Sequence, residues 1–273
     1  GDEYLSSPID RRPKFHLYQP NIALISGIAW DHINVFPTYD FYVEQFEIFI
    51  QKITNGGILV YNEDDAEVKR VAENATNPIR KIAYQTPEYS VENGVTLLET
   101  PEGPMPIEVF GAHNLNNLAG AKWICQNMGV DEADFYEAIA TFKGASKRLE
   151  KIAETKTAVA YKDFAHSPSK VKATTEAVKA QYPNRKLVAC LELHTYSSLN
   201  AEFLKEYEGA LDAADVAVVF YSPDAVKIKQ LEEVTYEQIS EAFNRKDLII
   251  YTNPEEFKEF LKEHDLKESA LLL

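Results

Sequence analysis

Beyond residue 150 the sequence falls into a regular alternation. Four short runs rich in branched and aromatic residues occupy 157–164, 186–193, 216–222 and 248–252. Stretches with helical spacing lie between or after them, near 169–181, 201–213, 236–243 and 254–263. Strands alternating with amphipathic helices build βαβ units, and these close into a parallel sheet with right-handed crossovers. The first half follows the same plan less evenly. Residues 21–28 (NIALISGI), 57–61 and 80–85 read as strands, and 36–54 and 66–74 as helices. Between 89 and 110 the turn signals Asn93-Gly94 and Pro101-Glu102-Gly103-Pro104 set off the runs 95–99 and 105–110, which predicts a hairpin. Helices follow over 115–128 and 132–142. The expected fold class is α/β with a mainly parallel sheet, in two domains of residues 1–150 and 151–273.

Both ends read as cut. The closing Ala270-Leu271-Leu272-Leu273 looks like the start of an exposed strand, and unpaired edges invite association. A fragment of a longer protein is expected, with edge-strand self-association open to a first domain that has lost strands. The balance of 43 acidic against 28 basic residues gives a net charge of −15. A broad nucleic-acid surface needs clustered Lys and Arg, so that partner is excluded. No apolar run reaches the ~18 residues of a membrane span, so no membrane partner is expected either. Cys125 and Cys190 lie in apolar stretches and read as structural thiols of a cytoplasmic protein.

Four of the six histidines sit where a predicted strand or loop hands over to the next element, each within three residues of an Asp, Asn or Ser. In open α/β sheets ligands bind beyond the carboxyl ends of the strands. His32, in Asp31-His32, suits a divalent cation or a loop bonded to its own backbone. In Gly111-Ala112-His113-Asn114-Leu115-Asn116-Asn117, an imidazole can stack on a flat base, and an Asn amide offers the donor and acceptor that an adenine edge requires. The same run also reads as an Asn-rich helix cap. Lys143, Lys147 and Arg148 form a basic knot that can hold phosphate or serve as a solvated linker. Asp163-Phe164-Ala165-His166-Ser167-Pro168 and His194-Thr195-Tyr196-Ser197-Ser198 occupy equivalent places after successive strands. Asp163 there can accept from ribose hydroxyls, with Ser167 as helix cap and Pro168 in the first turn.

Taken in order, these pieces resemble the Mur ligases, ATP-dependent amide-forming enzymes of peptidoglycan assembly. The resemblance covers nearly the whole chain. It rests on Asp31-His32, on the Gly-x-His-Asn-x-x-Asn start at Gly111, on Phe142-x-Gly144-x-x-Lys147-Arg148-x-Glu150 and on Asp163 to Pro168. It implies part of the central ATPase domain plus a Rossmann-like C-terminal domain. It also implies ATP and Mg2+ as cofactors, with His32 on magnesium and His113, Asn114 and Asn117 on adenine. Arg148 would face phosphate or the interdomain segment, and Asp163 the ribose. His166, His194, Tyr196 and Ser197 would line the acceptor side.

The opening segment through Phe15 and Phe220-Tyr221-Ser222-Pro223 look most like the branch that joins L-alanyl-γ-D-glutamyl-meso-diaminopimelate to UDP-N-acetylmuramate. The L-alanine-adding branch is the alternative, and a non-catalytic nucleotide- or peptide-binding module is a second one. No Gly-x-x-x-x-Gly-Lys-Ser/Thr phosphate loop occurs, so this stretch alone is expected not to catalyse. Without a Gly-x-Gly-x-x-Gly fingerprint, a nucleotide-dependent oxidoreductase is disfavoured. Lys147 stands in place of the first Arg of the family's pair, and Thr195 where relatives carry Arg, a departure at the acceptor-carboxylate contact.

Overall fold

The computed structural model describes residues 3–232 and 234–273, and its contacts separate into two units. Unit 1 comprises Gly1–Ser90, Leu97–Ile107 and Ala112–Phe142; unit 2 comprises Val91–Thr96, Glu108–Gly111 and Lys143–Leu273.

Unit 1 is built on a three-stranded parallel sheet of β1 (Ile22–Ile25), β2 (Ile58–Asn62) and β3 (Arg80–Tyr84), in that order. Successive side chains on a strand point to opposite faces. Ala23, Ile25, Leu59 and Tyr61 meet Phe46 and Ile50 of α1 (Tyr39–Gln51) and Val68 and Val71 of α2 (Ala66–Asn74). Leu24, Val60 and Tyr84 face the other way, onto Ala119 and Trp123 of α3 (Ala112–Asn127). Ile50 and Leu59 are fully buried, and each such side chain contributes roughly 1.5–3 kcal/mol. Thr38 caps α1 by accepting from the Phe41 amide, and Asp65 caps α2 by accepting from Glu67 and Val68. The helix α3 begins three residues ahead of its expected start, so Asn114 lies within it rather than at its cap. The helix α4 (Glu132–Ala140) follows.

A separate three-stranded sheet holds β4 (Tyr89–Glu92), β5 (Val95–Thr100) and β6 (Gly103–Ile107) in sequence order. One hairpin was expected there, and β4 adds a strand. The turn joining it to β5 has Asn93 and Gly94 at φ 52° and 80°, the left-handed pair that a two-residue hairpin turn requires.

Unit 2 carries a six-stranded sheet ordered β11-β10-β9-β12-β8-β7. Its strands are β7 (Glu150–Glu154), β8 (Val159–Lys162), β9 (Lys186–Leu193), β10 (Val216–Tyr221), β11 (Ile249–Tyr251) and β12 (Ser269–Leu272). All neighbours pair in parallel except β7, which runs antiparallel to β8 with an irregularity between Lys151 and Ala153. The helices are α5 (Pro168–Gln181), α6 (Pro223–Ile228), α7 (Tyr236–Ala242) and α8 (Pro254–Glu263). Val188, Ala217, Val218 and Val219 are buried on the central strands, as continuous apolar runs in parallel sheets are.

Two expectations need correction, and one strand was missed. The strand at 269–272 is no exposed edge: β12 lies between β9 and β8, and all four of its residues are buried. The α-helix expected over 201–213 is a 3-10 turn, Phe203–Tyr207, followed by further turns. Its apolar residues recur at helical spacing and are buried, but Gly209 takes φ 73° and breaks the run. The strand β7 was not expected at all, since Glu-Lys-Ile-Ala-Glu lacks an apolar run, and all five of its residues are exposed.

Candidate functional site

Because β1, β2 and β3 run in one direction, their carboxyl ends open on one side, where open sheets hold ligands. Ser26, Asn62, Asp64 and Thr86 there meet the start of α3 around an open groove of about 650 Å³. His113 and Asn117 of α3 line it, with Tyr39 of α1 and Asp65 and Glu67 at the start of α2.

The floor of the groove is a polar network that runs from buried Asn62 and Asn116 to half-buried Thr86 and exposed Asp64. The Asn116 amide donates to Asn62 Oδ1 at 3.0 Å and Thr86 Oγ1 at 3.1 Å. The Thr86 hydroxyl and amide both donate to Asp64 Oδ2, at 2.8 and 2.7 Å. Asn62 donates onward to the Ser26 carbonyl at 3.0 Å, and Tyr84 donates its hydroxyl to Asn116 Oδ1 at 3.3 Å. Burial pushes the Tyr84 hydroxyl above its ordinary range, which keeps it a donor. Asp65 accepts from the Ile28 amide at 3.0 Å while capping α2. Polar networks whose buried groups are paired hold one geometry.

Of the residues singled out in the 111–117 motif, His113 and Asn117 line the groove. Asn114 is half-buried and does not. The floor residues Asn62, Asp64, Thr86 and Asn116 escaped notice. Asn62-Glu63-Asp64-Asp65 directly follows an apolar strand, and that polar run was the signal that could have exposed them.

His32 lies outside the groove lining. It adopts φ 56°, and its Nε2 is 3.5 Å from Glu3 Oε1 and 3.9 Å from Asp31 Oδ2. Its ring packs edge-on against Tyr4 at 4.9 Å. Among the described residues, no group of three or more His, Cys, Asp or Glu is arranged to hold a metal ion. Magnesium usually takes one or two protein ligands and completes its shell with water and phosphate oxygens. The Glu3 and Asp31 carboxylates beside His32 are oxygen donors of the kind that ion takes.

In unit 2, β8 and β9 end on either side of β12. Asp163 Oδ2 accepts from the Leu149 amide and Oδ1 from the Ala165 amide, both at 2.6 Å. The Phe164 amide donates to the Lys147 carbonyl at 2.9 Å, so the segment 147–149 is laid along the end of β8. Lys147 and Leu149 both take left-handed φ, 57° and 45°, at about 1–2 kcal/mol each for a residue with a Cβ. Glu150 supports that geometry by accepting from the Lys147 amide at 2.7 Å, and this bond holds its carboxyl below the usual range. Lys143, Lys147 and Arg148 are exposed.

The rings of His166, His194 and Phe164 gather at this rim, with centroids 5.2 to 5.9 Å apart. His166 Nδ1 pairs with the Phe164 carbonyl at 2.9 Å and His194 Nδ1 with the Glu192 carbonyl at 3.3 Å. Tyr196 is exposed beside them, whereas Ser197 is buried beneath the turn that Thr195 and Ser198 close. Ser167 is the N-cap residue of α5 and Pro168 opens the helix, although no cap bond from the Ser167 side chain forms.

Parallel α/β units with polar groups gathered at their strand ends define an open-sheet, ligand-binding class. Residues 6–125 match the Mur ligase middle domain, and residues 147–273 match the Mur ligase glutamate ligase domain. The chain belongs to the Mur ligase family. It is similar to the UDP-N-acetylmuramate–L-alanine ligase of Desulfitobacterium hafniense, at 29% identity over 80% of this chain and 51% of that protein. The enzyme of the same name from Caldicellulosiruptor bescii is 30% identical over 75% of this chain and 47% of that one. The chain thus spans about half the length of the curated relatives it matches. Its fold is that of the murein peptide ligase from Psychrobacter arcticus (TM-score 0.64, 19% identity, 99% of this chain and 57% of that one). It is likewise that of MurF ligase from Thermotoga maritima solved with ADP (TM-score 0.69, 18% identity, 94% and 58%).

Proposed function

We propose that the protein containing this chain is an ATP-dependent ligase that joins L-alanyl-γ-D-glutamyl-meso-diaminopimelate to UDP-N-acetylmuramate in peptidoglycan recycling. The observation that carries the reading is His113 and Asn117 set over a hydrogen-bonded polar floor at the carboxyl ends of a parallel sheet, in a chain of this family. The groove is lined by Asp64, Asp65 and Glu67 and by no Lys or Arg. Carboxylates repel a polyphosphate, so the groove suits the base and sugar of ATP rather than its phosphates. Asn117 and His113 would hold adenine, with Asn114 supporting the same turn.

The muramate carboxylate attacks the γ-phosphate, giving an acyl phosphate and ADP. The acceptor amine then attacks the carbonyl, and inorganic phosphate leaves. No covalent enzyme intermediate is required, so the protein supplies position and charge. Magnesium, when bound, offsets the repulsion between triphosphate and carboxylate, and His32 with Glu3 or Asp31 would hold it. Asp163 has lone pairs beyond its two amide bonds with which to meet a ribose hydroxyl. Arg148 would meet phosphate. His166, His194 and Tyr196 would face the acceptor, with Ser197 shaping the turn beneath them. The domain division at 150/151 and a cytoplasmic location belong to the same reading. No helix among the described residues is long and apolar enough to cross a membrane.

The names of the curated relatives favour a second reading, in which the acceptor is L-alanine. Phosphate release by the full-length protein, measured with each acceptor and UDP-N-acetylmuramate, separates them. Faster turnover with the tripeptide is expected. Preference for L-alanine would establish the second reading, and no turnover with either would leave a binding module. The chain alone is expected to bind nucleotide without turnover, and amide formation by residues 1–273 would refute that.

A further inference from the structure

The geometry points to Asn116 as the positioning residue of the groove: its side chain sets the rotation of α3 and thereby presents His113 and Asn117 to the nucleotide base. The inference rests on the nucleotide reading above and extends it to a residue at an unspecified position of the Gly-x-His-Asn-x-x-Asn pattern. Hydrophobic packing normally fixes how a surface helix is rotated, through one apolar stripe. The helix α3 has no such stripe, because Leu115, Leu118, Trp123, Ile124 and Cys125 are spread around it. Ala119 and Trp123 still pack on the sheet, and directional bonds from the same helix add to that packing.

Positions 113, 116, 117 and 120 fall on one side of a helix. Tyr84 grips that side twice. Its hydroxyl donates to Asn116 Oδ1 at 3.3 Å, and one turn on it crowds Gly120, where a Cβ would lie 2.9 Å from Tyr84 Oη. The Asn116 amide then reaches Asn62, the last residue of β2, and Thr86 after β3. A helix turned about its axis would break all of these bonds together. Asn116 is 7% exposed and borders the groove, with its amide and carbonyl engaged by Asn62, Thr86 and Tyr84.

The test uses the full-length protein and ATP, with Asn116→Leu as a variant of similar branched shape that lacks the amide. The expected result is a KM for ATP raised about tenfold, with kcat and the KM for the acceptor within twofold of wild type. Tyr84→Phe removes only the hydroxyl behind Asn116, which keeps the question answerable if Asn116→Leu fails to fold. It is expected to raise the KM for ATP two- to threefold. An unchanged KM for ATP in folded variants would overturn the inference. So would a fall in kcat with every KM unchanged, because that reports a smaller folded fraction. Titration of wild type with ATP keeps the two levels apart. Binding by wild type with unaltered variants sinks only the role of Asn116, whereas no binding by wild type sinks the nucleotide reading and this inference with it.

Discussion

In unit 1 the strand ends are tied by side chains. Asn62, Asp64, Thr86 and Asn116 bond to one another across β2, β3 and α3, and the groove-lining His113 and Asn117 stand on that floor. In unit 2 the strand ends are tied by backbone. Asp163 gathers amides from Leu149 and Ala165, Lys147 and Leu149 hold left-handed φ, and the rings of His166, His194 and Phe164 are half-buried or exposed beside them. The first arrangement presents fixed donors and acceptors, as recognition of a planar base edge requires. The second presents stacking surface and imidazoles on a held backbone, which suits an acceptor bound by fewer directional contacts.

The largest effect that would break this contrast lies at the back of the groove. Gly120→Val would drive side-chain atoms into Tyr84 and Leu24, since even a Cβ comes within 2.9 and 3.0 Å of them. A loss of about 3 kcal/mol is expected, read as a lower denaturant midpoint. A neutral result would mean that α3 can shift and the floor is not rigid.

In unit 2 the corresponding change is Asp163→Asn. One carboxamide oxygen cannot replace two carboxylate oxygens, so one of the amides of Leu149 and Ala165 loses its acceptor. A cost of about 1–3 kcal/mol is expected, with weaker protection of the Leu149 amide in hydrogen exchange. Unaltered protection would show that the backbone of 147–149 holds itself.

Acid should affect unit 1 through His16, which is buried with Nε2 2.7 Å from the Gln45 carbonyl. Burial pushes its folded value below the ordinary 6.5, so the folded chain binds fewer protons than the unfolded one. Its contribution is therefore full above that value and is lost as pH falls through it toward the folded value. Denaturant midpoints between pH 7.5 and 5 should fall for wild type and fall less for His16→Asn. Equal slopes would remove His16 as the cause.

The exposed rim should be cheap to alter. His166→Ala and His194→Ala are expected to shift stability by less than about 0.5 kcal/mol while raising the KM for the acceptor and leaving that for ATP unchanged. A rise in the KM for ATP instead would place these rings on the nucleotide side. The smallest effect concerns Cys190, whose thiol burial pushes up to about 12. It should stay silent to a thiol reagent at pH 8 until the chain unfolds, and native-state labelling would contradict its structural role.

The order of strands and helices was legible because apolar runs and helical spacing report burial directly. Residues 186–193 and 66–74 match β9 and α2 to the residue. What escaped was decided by tertiary contact. β7 is exposed throughout and pairs only because β8 offers an edge, and the 3-10 turn at 203–207 has helical spacing cut off by Gly209. The motif residues His113 and Asn117 stood out by type and spacing. Asn116, between them, read as one more Asn of a helix start, and only the fold brings Asn62, Thr86 and Tyr84 to it.

The most direct measurement is a crystal structure of the full-length protein with ADP. The account predicts the adenine ring in the groove beside His113, with its edge bonded to Asn117 and the phosphates directed away from Asp64, Asp65 and Glu67. An adenine bound elsewhere, or phosphates seated among those carboxylates, would contradict it.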